Sequence, residues 1–185
     1  MARPIVFFGE GKADGKFLED FIKHHFNIDK ITYIDIRGKD SIHLSKKFFM
    51  QNTDQNGINL LLFDADSDYQ AALENVNKQK TESGIEFDTF LFPNNSDTGA
   101  VENLLLELTV PEHQGIFECF EPFNTCLLTH NQNYVVPDLK IKIYSYVAFQ
   151  NLNSKEHERN YLLDCWNLDA PYAQPLVDFL KQYIT

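Results

Sequence analysis

Apolar positions along the chain follow two alternating rhythms. Ile5-Val6-Phe7-Phe8 is a short unbroken run that stops at Gly9, the profile of a strand buried on both faces. Phe17, Leu18, Phe21, Ile22 and His25 then recur at helical spacing, with Asp14 placed to cap the helix. Ile31-Thr32-Tyr33-Ile34-Asp35-Ile36 predicts a second strand closed by Arg37-Gly38. From Ser41 to about Met50 the spacing predicts a helix with Ile42, Leu44, Phe48 and Phe49 available for burial. Asn59-Leu60-Leu61-Leu62-Phe63 is a third strand, ending on Asp64-Ala65-Asp66. A helix carrying Tyr69, Ala72, Leu73 and Val76 follows it and ends near Gly84. Phe87-Asp88-Thr89-Phe90-Leu91-Phe92 is a fourth strand, stopped by Pro93-Asn94-Asn95.

Strands that alternate with helices in this way predict an α/β fold with a mainly parallel four-stranded sheet covered by helices on both faces. Beyond Gly99 the pattern turns helical: Val101, Leu104, Leu105 and Leu108, then Ile116 to Leu128 and Ile141 to Phe149, the latter two joined by a polar loop at Asn131-Gln132-Asn133. Tyr161 to Trp166 reads as a short element, and Leu176 to Ile184 as a closing amphipathic helix. Phe117, Phe120, Phe123, Trp166 and Phe179 sit at helix-compatible positions and are expected in the core rather than as base-stacking platforms. With no repeat, low-complexity tract or Gly/Ser linker, residues 1–185 read as one domain: a core over 3–110 and a helical C-terminal extension over 111–185.

Composition narrows the class. At 43% hydrophobic the chain is too apolar for disorder, although its formal net charge is −11. Apolar runs such as Leu60 to Phe63 are far too short to span a bilayer, and Glu10 and Lys12 interrupt the N-terminal run before a signal-peptide core develops. Cys119, Cys126 and Cys165 form no CxxC pair, and their odd number suits reduced thiols in a cytoplasmic protein. The charge is uneven. Residues 1–50 carry nine Lys/Arg against seven Asp/Glu, whereas residues 81–139 hold ten acids and no Lys or Arg. A protein built mainly to grip a phosphate backbone shows a large basic excess, so any nucleic-acid contact here is local or screened by bound metal.

The acidic residues are better placed than the basic ones. In an open parallel sheet, ligands bind outside the carboxyl ends of the strands. Glu10 follows the first strand between Gly9 and Gly11, which permit a sharp turn that aims a side chain. Asp64 and Asp66 follow the third strand, with Asp68 two residues on, and Glu102 lies just inside the helix after the fourth. An Asp-x-Asp after a strand often only caps the next helix, and a Glu in a first turn is favoured by the helix dipole alone. If these carboxylates converge, however, two of them about 4 Å apart repel by roughly 4 kcal/mol at an effective dielectric near 20. Either their pKa values rise or a hard cation neutralises them, and oxygen donors with few histidines select Mg2+ or Mn2+. Neither nucleotide loop is present: Gly9 to Gly15-Lys16 is one residue too long for a P-loop, Phe17 replaces its Ser/Thr, and no GxGxxG occurs.

Phe8-Gly9-Glu10-Gly11-Lys12-Ala13-Asp14-Gly15-Lys16-Phe17-Leu18 resembles the opening motif of the Toprim domain, and Leu62-Phe63-Asp64-Ala65-Asp66 resembles its Asp-x-Asp strand, with one strand-helix unit between them. The resemblance covers roughly residues 3–110. It is closest to small stand-alone Toprim-related proteins of unassigned function, with OLD-family nucleases as the better understood relatives. It implies a Rossmann-like Toprim core and a two-metal site: Glu10, Asp64 and Asp66 on one ion, Asp14 and Glu102, at positions matching OLD-type acids, near a second. It also implies a lysine late in the domain, for which Lys140 and Lys142 compete. Such a site supports hydrolysis of a phosphodiester in nucleic acid. The chain lacks the ATPase domain that accompanies OLD nucleases, which leaves room for a separate ATPase or other protein partner. It also lacks the domain that supplies the topoisomerase tyrosine.

Three readings remain open from the sequence. The first is a metal-dependent nuclease-like enzyme with Glu10, Asp64, Asp66 and Lys140 or Lys142 as its working groups and Lys12 on the substrate phosphate. The second is a non-catalytic module that binds metal or a partner on the same fold, disfavoured by retention of every acidic position. The third is binding of a small phosphate-containing molecule.

Overall fold

The computed structural model describes residues 3–150, 155 and 158–184. Four strands, β1 (Ile5–Gly9), β2 (Thr32–Asp35), β3 (Ile58–Asp64) and β4 (Asp88–Phe92), form one sheet in the order β2-β1-β3-β4, every neighbouring pair parallel. Eight α-helices are described: α1 (Lys12–Phe26), α2 (Lys46–Asp54), α3 (Tyr69–Ser83), α4 (Val101–Glu107), α5 (Pro111–Glu118), α6 (Phe120–His130), α7 (Leu139–Phe149) and α8 (Gln174–Leu180). Short 3-10 turns at Ile42–Ser45 and Pro171–Ala173 lead into α2 and α8. The α/β architecture and parallel sheet expected from the pattern are the ones observed.

Strand side chains alternate between two cores, as a period of two requires. Phe7, Leu60, Leu62, Phe90 and Phe92 face one layer with Phe17, Leu18, Phe21 and Ile22 of α1. Phe8, Leu61, Phe63 and Leu91 face the other with Ile42, Phe49 and Val76, where the Phe8 and Phe49 rings stack at 3.6 Å. Residues after 110 are not a separate layer: Ile143, Tyr146, Tyr161, Trp166, Leu176 and Leu180 complete the first core. Among the described residues no helix is long and apolar enough to cross a membrane.

Several local expectations are corrected. The first helix starts at Lys12 with Gly11 as its N-cap, so Asp14 lies in the first turn rather than capping it. The stretch Ile116–Leu128 is two helices that break at Cys119, and Tyr161–Trp166 is a run of turns joined to Thr109 by one bridge from Trp166. Leu44 is 73% exposed and Phe48 48%. With three residues per turn, the 3-10 segment sends Ile42 and Ser45 inward and Leu44 out. Phe48 sits about 100° around α2 from the buried Phe49. Phe123 is also half exposed, because α6 buries Phe120 alone. Phe120, Trp166 and Phe179 are buried as expected, and Phe117 partly.

Candidate functional site

The chain leaves β1 for β2 on one side and β3 for β4 on the other, so the carboxyl ends of β1 and β3 bound the crevice where strand order reverses. Phe8 pairs with Leu61, and strands lie about 4.8 Å apart, so Glu10 and Asp64 emerge side by side. Together with Asp14 of α1 and Glu102 of α4 they line a cavity of about 200 Å3. Lys140 and Tyr144 of α7, Arg159 and Tyr161 close its outer wall.

Local structure holds each group in place. Gly9 and Gly15 are glycines because the Tyr33 ring packs onto both: a Cβ on Gly15 would sit 2.6 Å from ring atom Cδ1. The Tyr33 hydroxyl donates to the Gly11 carbonyl at 2.8 Å, so β2 clamps the turn that carries Glu10. Neither Gly9 nor Gly11 has a positive φ, and a Cβ on Gly11 would meet only Asp14 Oδ2, at 3.7 Å. Close approach by Tyr33, rather than backbone freedom, is the reason for Gly9. Asp64 Oδ1 accepts the Val101 N–H at 2.9 Å, tying the end of β3 to the start of α4. The Asp66 backbone exchanges two hydrogen bonds with Gly99, at 2.8 and 2.7 Å, which draws Glu102 to the same edge.

The carboxylates bear the cost of this convergence. Burial, then the charges of Asp14, Glu102 and Glu10, push Asp64 up to about 8, with the Val101 N–H opposing the rise. Burial, then the Asp66 carboxylate, also raises Glu10. Glu10 Oε1 is buried and has no hydrogen-bond partner among the described residues. Leaving a carboxylate oxygen in that state is costly unless a ligand completes it. Among the described lining residues four carboxylates face two cationic side chains, Lys140 and Arg159. With all four ionised, the surplus of two negative charges is one that a divalent ion would balance, and without an ion Asp64 relieves part of it by keeping its proton. The donors are all oxygen, and on these observations the residues fit a hard cation such as Mg2+ or Mn2+. They do not close on a point. Among the described residues the trio of ligand atoms within 4.8 Å of one another is His24, His25 and Asp169, toward the other end of α1. Mg2+ commonly takes one or two protein carboxylates and keeps water elsewhere, so a spread arrangement suits it.

Other predicted residues separate. Lys140 lies 3.6 Å from Glu102, whereas Lys142 points to Glu121 on α6 at 3.4 Å, about 200° around α7. Helix geometry therefore puts Lys140, and not Lys142, at the cavity. Asp66 is outside the cavity lining, half exposed, in the left-handed region at φ 53° and paired with Lys39. Asp68 accepts the Ala71 N–H at 3.0 Å and caps α3, the ordinary role of such a residue. Lys12 is exposed at the start of α1 and does not line the cavity.

Tyr33 and Arg159 are additions that the motifs did not pick out. Arg159 is only 4% exposed, its guanidinium carbon lies 4.1 Å from the centroid of the Tyr144 ring, and its Nε lacks a hydrogen-bond partner among the described residues. An arginine after a stretch of mixed charge looks solvated in the sequence. Only the packing of the C-terminal segment against α7 reveals it.

No curated protein and no solved structure matches the chain. A family model described as "Protein of unknown function (DUF3226)" matches residues 5–185, and the chain belongs to that family.

Proposed function

We propose that the protein is a Mg2+- or Mn2+-dependent phosphodiester-processing enzyme, a nuclease-like hydrolase acting in the crevice at the ends of β1 and β3. The observation that carries this reading is the meeting of Glu10, Asp14, Asp64 and Glu102 around one cavity, with Glu10 Oε1 buried and without a hydrogen-bond partner among the described residues. Glu10 and Asp64 would hold the first ion. Asp14 and Glu102 would supply donors for a second, and Asp66 could add one only by giving up its pairing with Lys39. Bound ions would supply an activated water and charge neutralisation at the leaving oxygen.

The chain's own residues divide the remaining work. Lys140, held beside Glu102, is placed to neutralise charge that develops in the transition state. Arg159, whose Nε–H has no partner among the described residues, lines the cavity and would present a fixed positive group to a substrate phosphate. Tyr144 and Tyr161 orient it. The small cavity and the acidic stretch over residues 81–139 favour a single-stranded or small phosphodiester over a duplex lying across the surface. A separate ATPase or other protein partner remains part of the proposal for activity on longer substrates.

Cleavage of bis(p-nitrophenyl) phosphate and of a labelled single-stranded oligonucleotide, with Mn2+ or EDTA, tests the reading. Turnover should require Mn2+ and vanish in Glu10→Gln and Asp64→Ala. Turnover retained in EDTA or in the double variant would overturn it. Metal binding without turnover on any phosphodiester would favour the non-catalytic module.

A further inference from the structure

A second cluster lies at the opposite end of α1, roughly 15 Å along the helix from Asp14 at 1.5 Å per residue. One face of α1 carries the C-terminal segment: the Phe17 ring meets Tyr161 at 5.4 Å, Asp20 Oδ2 accepts the Tyr161 N–H at 2.9 Å, and His24 and His25 meet Leu168 and Asp169. We propose that His24, His25 and Asp169 form a binding site for a borderline divalent cation such as Zn2+, which staples the end of α1 to the segment ahead of α8.

The hydrogen bonding fixes which atoms are available. His25 Nε2 lies 3.1 Å from the Leu168 carbonyl oxygen, which can only accept, so Nε2 carries the ring proton. His25 Nδ1 of the neutral ring is then a lone pair, and it faces Asp169 Oδ1 across 3.9 Å. Two acceptors facing each other attract a cation. A ring whose far nitrogen donates to a backbone carbonyl is also the usual support for a metal-bound histidine. His24 Nε2 completes the trio, 3.0 Å from the same carboxylate oxygen; without metal it donates its proton to that oxygen, and ligation requires this proton to move to Nδ1 or to solvent. Ligands about 2.05 Å from a tetrahedral Zn2+ sit roughly 3.3 Å apart. The observed separations of 3.0 and 3.9 Å bracket that value, so small side-chain adjustments admit the ion. Two imidazoles and a carboxylate select Zn2+ or Co2+ over Mg2+, which separates this site from the acidic crevice. Water would hold the fourth position. The inference is independent of the proposed activity.

Untagged protein carrying Glu10→Gln and Asp64→Asn, which silence the crevice, is titrated with Co2+ by visible absorption and with Zn2+ by calorimetry. One equivalent should bind with tetrahedral ligand-field bands, and Zn2+ should raise Tm. Adding His24→Ala or Asp169→Asn, both at exposed positions and with an unchanged fold to be verified by circular dichroism, should weaken binding at least about tenfold and remove the Tm rise. Unchanged affinity in these variants, no saturable binding up to millimolar Zn2+, or binding without a Tm rise would overturn the proposal.

Discussion

Replacing Asp64 by Asn should stabilise the metal-free protein at alkaline pH and leave it unchanged at acid pH. The native carboxyl holds its proton up to about 8, whereas the unfolded chain releases it near 3.8. Between those values the native state binds more protons than the unfolded state, so this group's contribution to stability falls as pH rises. The gap is about four pH units, an upper bound of roughly 5 to 6 kcal/mol at about 1.36 kcal/mol per unit. Part of the rise depends on Asp14, Glu102 and Glu10 remaining charged, so about half of that, roughly 2 to 3 kcal/mol, is the expected difference. Asn keeps an oxygen for the Val101 N–H and carries no titrating proton. Urea unfolding in EDTA at about pH 5 and about pH 8 measures the effect. The two proteins should agree within about 1 kcal/mol at the lower pH, and the variant should be the more stable at the higher one. Saturating Mn2+ should reverse the order at the higher pH, because only the wild type keeps the charged ligand. A wild-type stability that stays level with, or rises against, the variant across this range would refute the reasoning.

Lys140→Ala should lower kcat by roughly 10²- to 10³-fold, while Lys142→Ala, whose partner Glu121 is exposed, should leave kcat within about twofold and stability within about 1 kcal/mol. Asp68→Ala removes the α3 cap and should cost about 1 kcal/mol in urea unfolding without changing Mn2+ affinity. Gly15→Ala drives a methyl into the Tyr33 ring and should destabilise by about 1 to 3 kcal/mol. Pairing it with Tyr33→Ala, which vacates that space, should recover part of the loss attributable to the clash in a double-mutant cycle.

The sheet was readable because buried parallel strands are nearly continuous apolar runs, and Ile5–Phe8 and Leu60–Phe63 are such runs. Strand ends in turn located Glu10 and Asp64, since the topology alone places carboxyl ends together. What escaped depended on long-range packing or on local helix geometry. Nothing in the spacing of Tyr33 says that its ring displaces a Cβ from Gly9 and Gly15. Lys140 and Lys142 are indistinguishable by type, and only the rotation between them sends one to Glu102 and the other to Glu121. Asp68 fits a metal motif and a helix cap equally well in the sequence, and the backbone donor at Ala71 gives it the second role. A regular helix from Ser41 to Met50 makes both Leu44 and Phe48 available for burial; the 3-10 turn that begins the element sends Leu44 out, and Phe48 lies beside the buried face of α2 that Phe49 occupies.

The central claim is that the crevice at the ends of β1 and β3 holds a divalent cation. Calorimetric titration with Mn2+ at about pH 7, repeated in buffers of different ionisation enthalpy, tests it directly. Wild type should bind with release of close to one proton, because the ion displaces the one that Asp64 retains. Glu10→Gln should weaken binding at least about tenfold and Asp64→Asn should release no such proton. Saturable Mn2+ binding with the same affinity and proton release in all three proteins, or no binding in the wild type, would contradict the account.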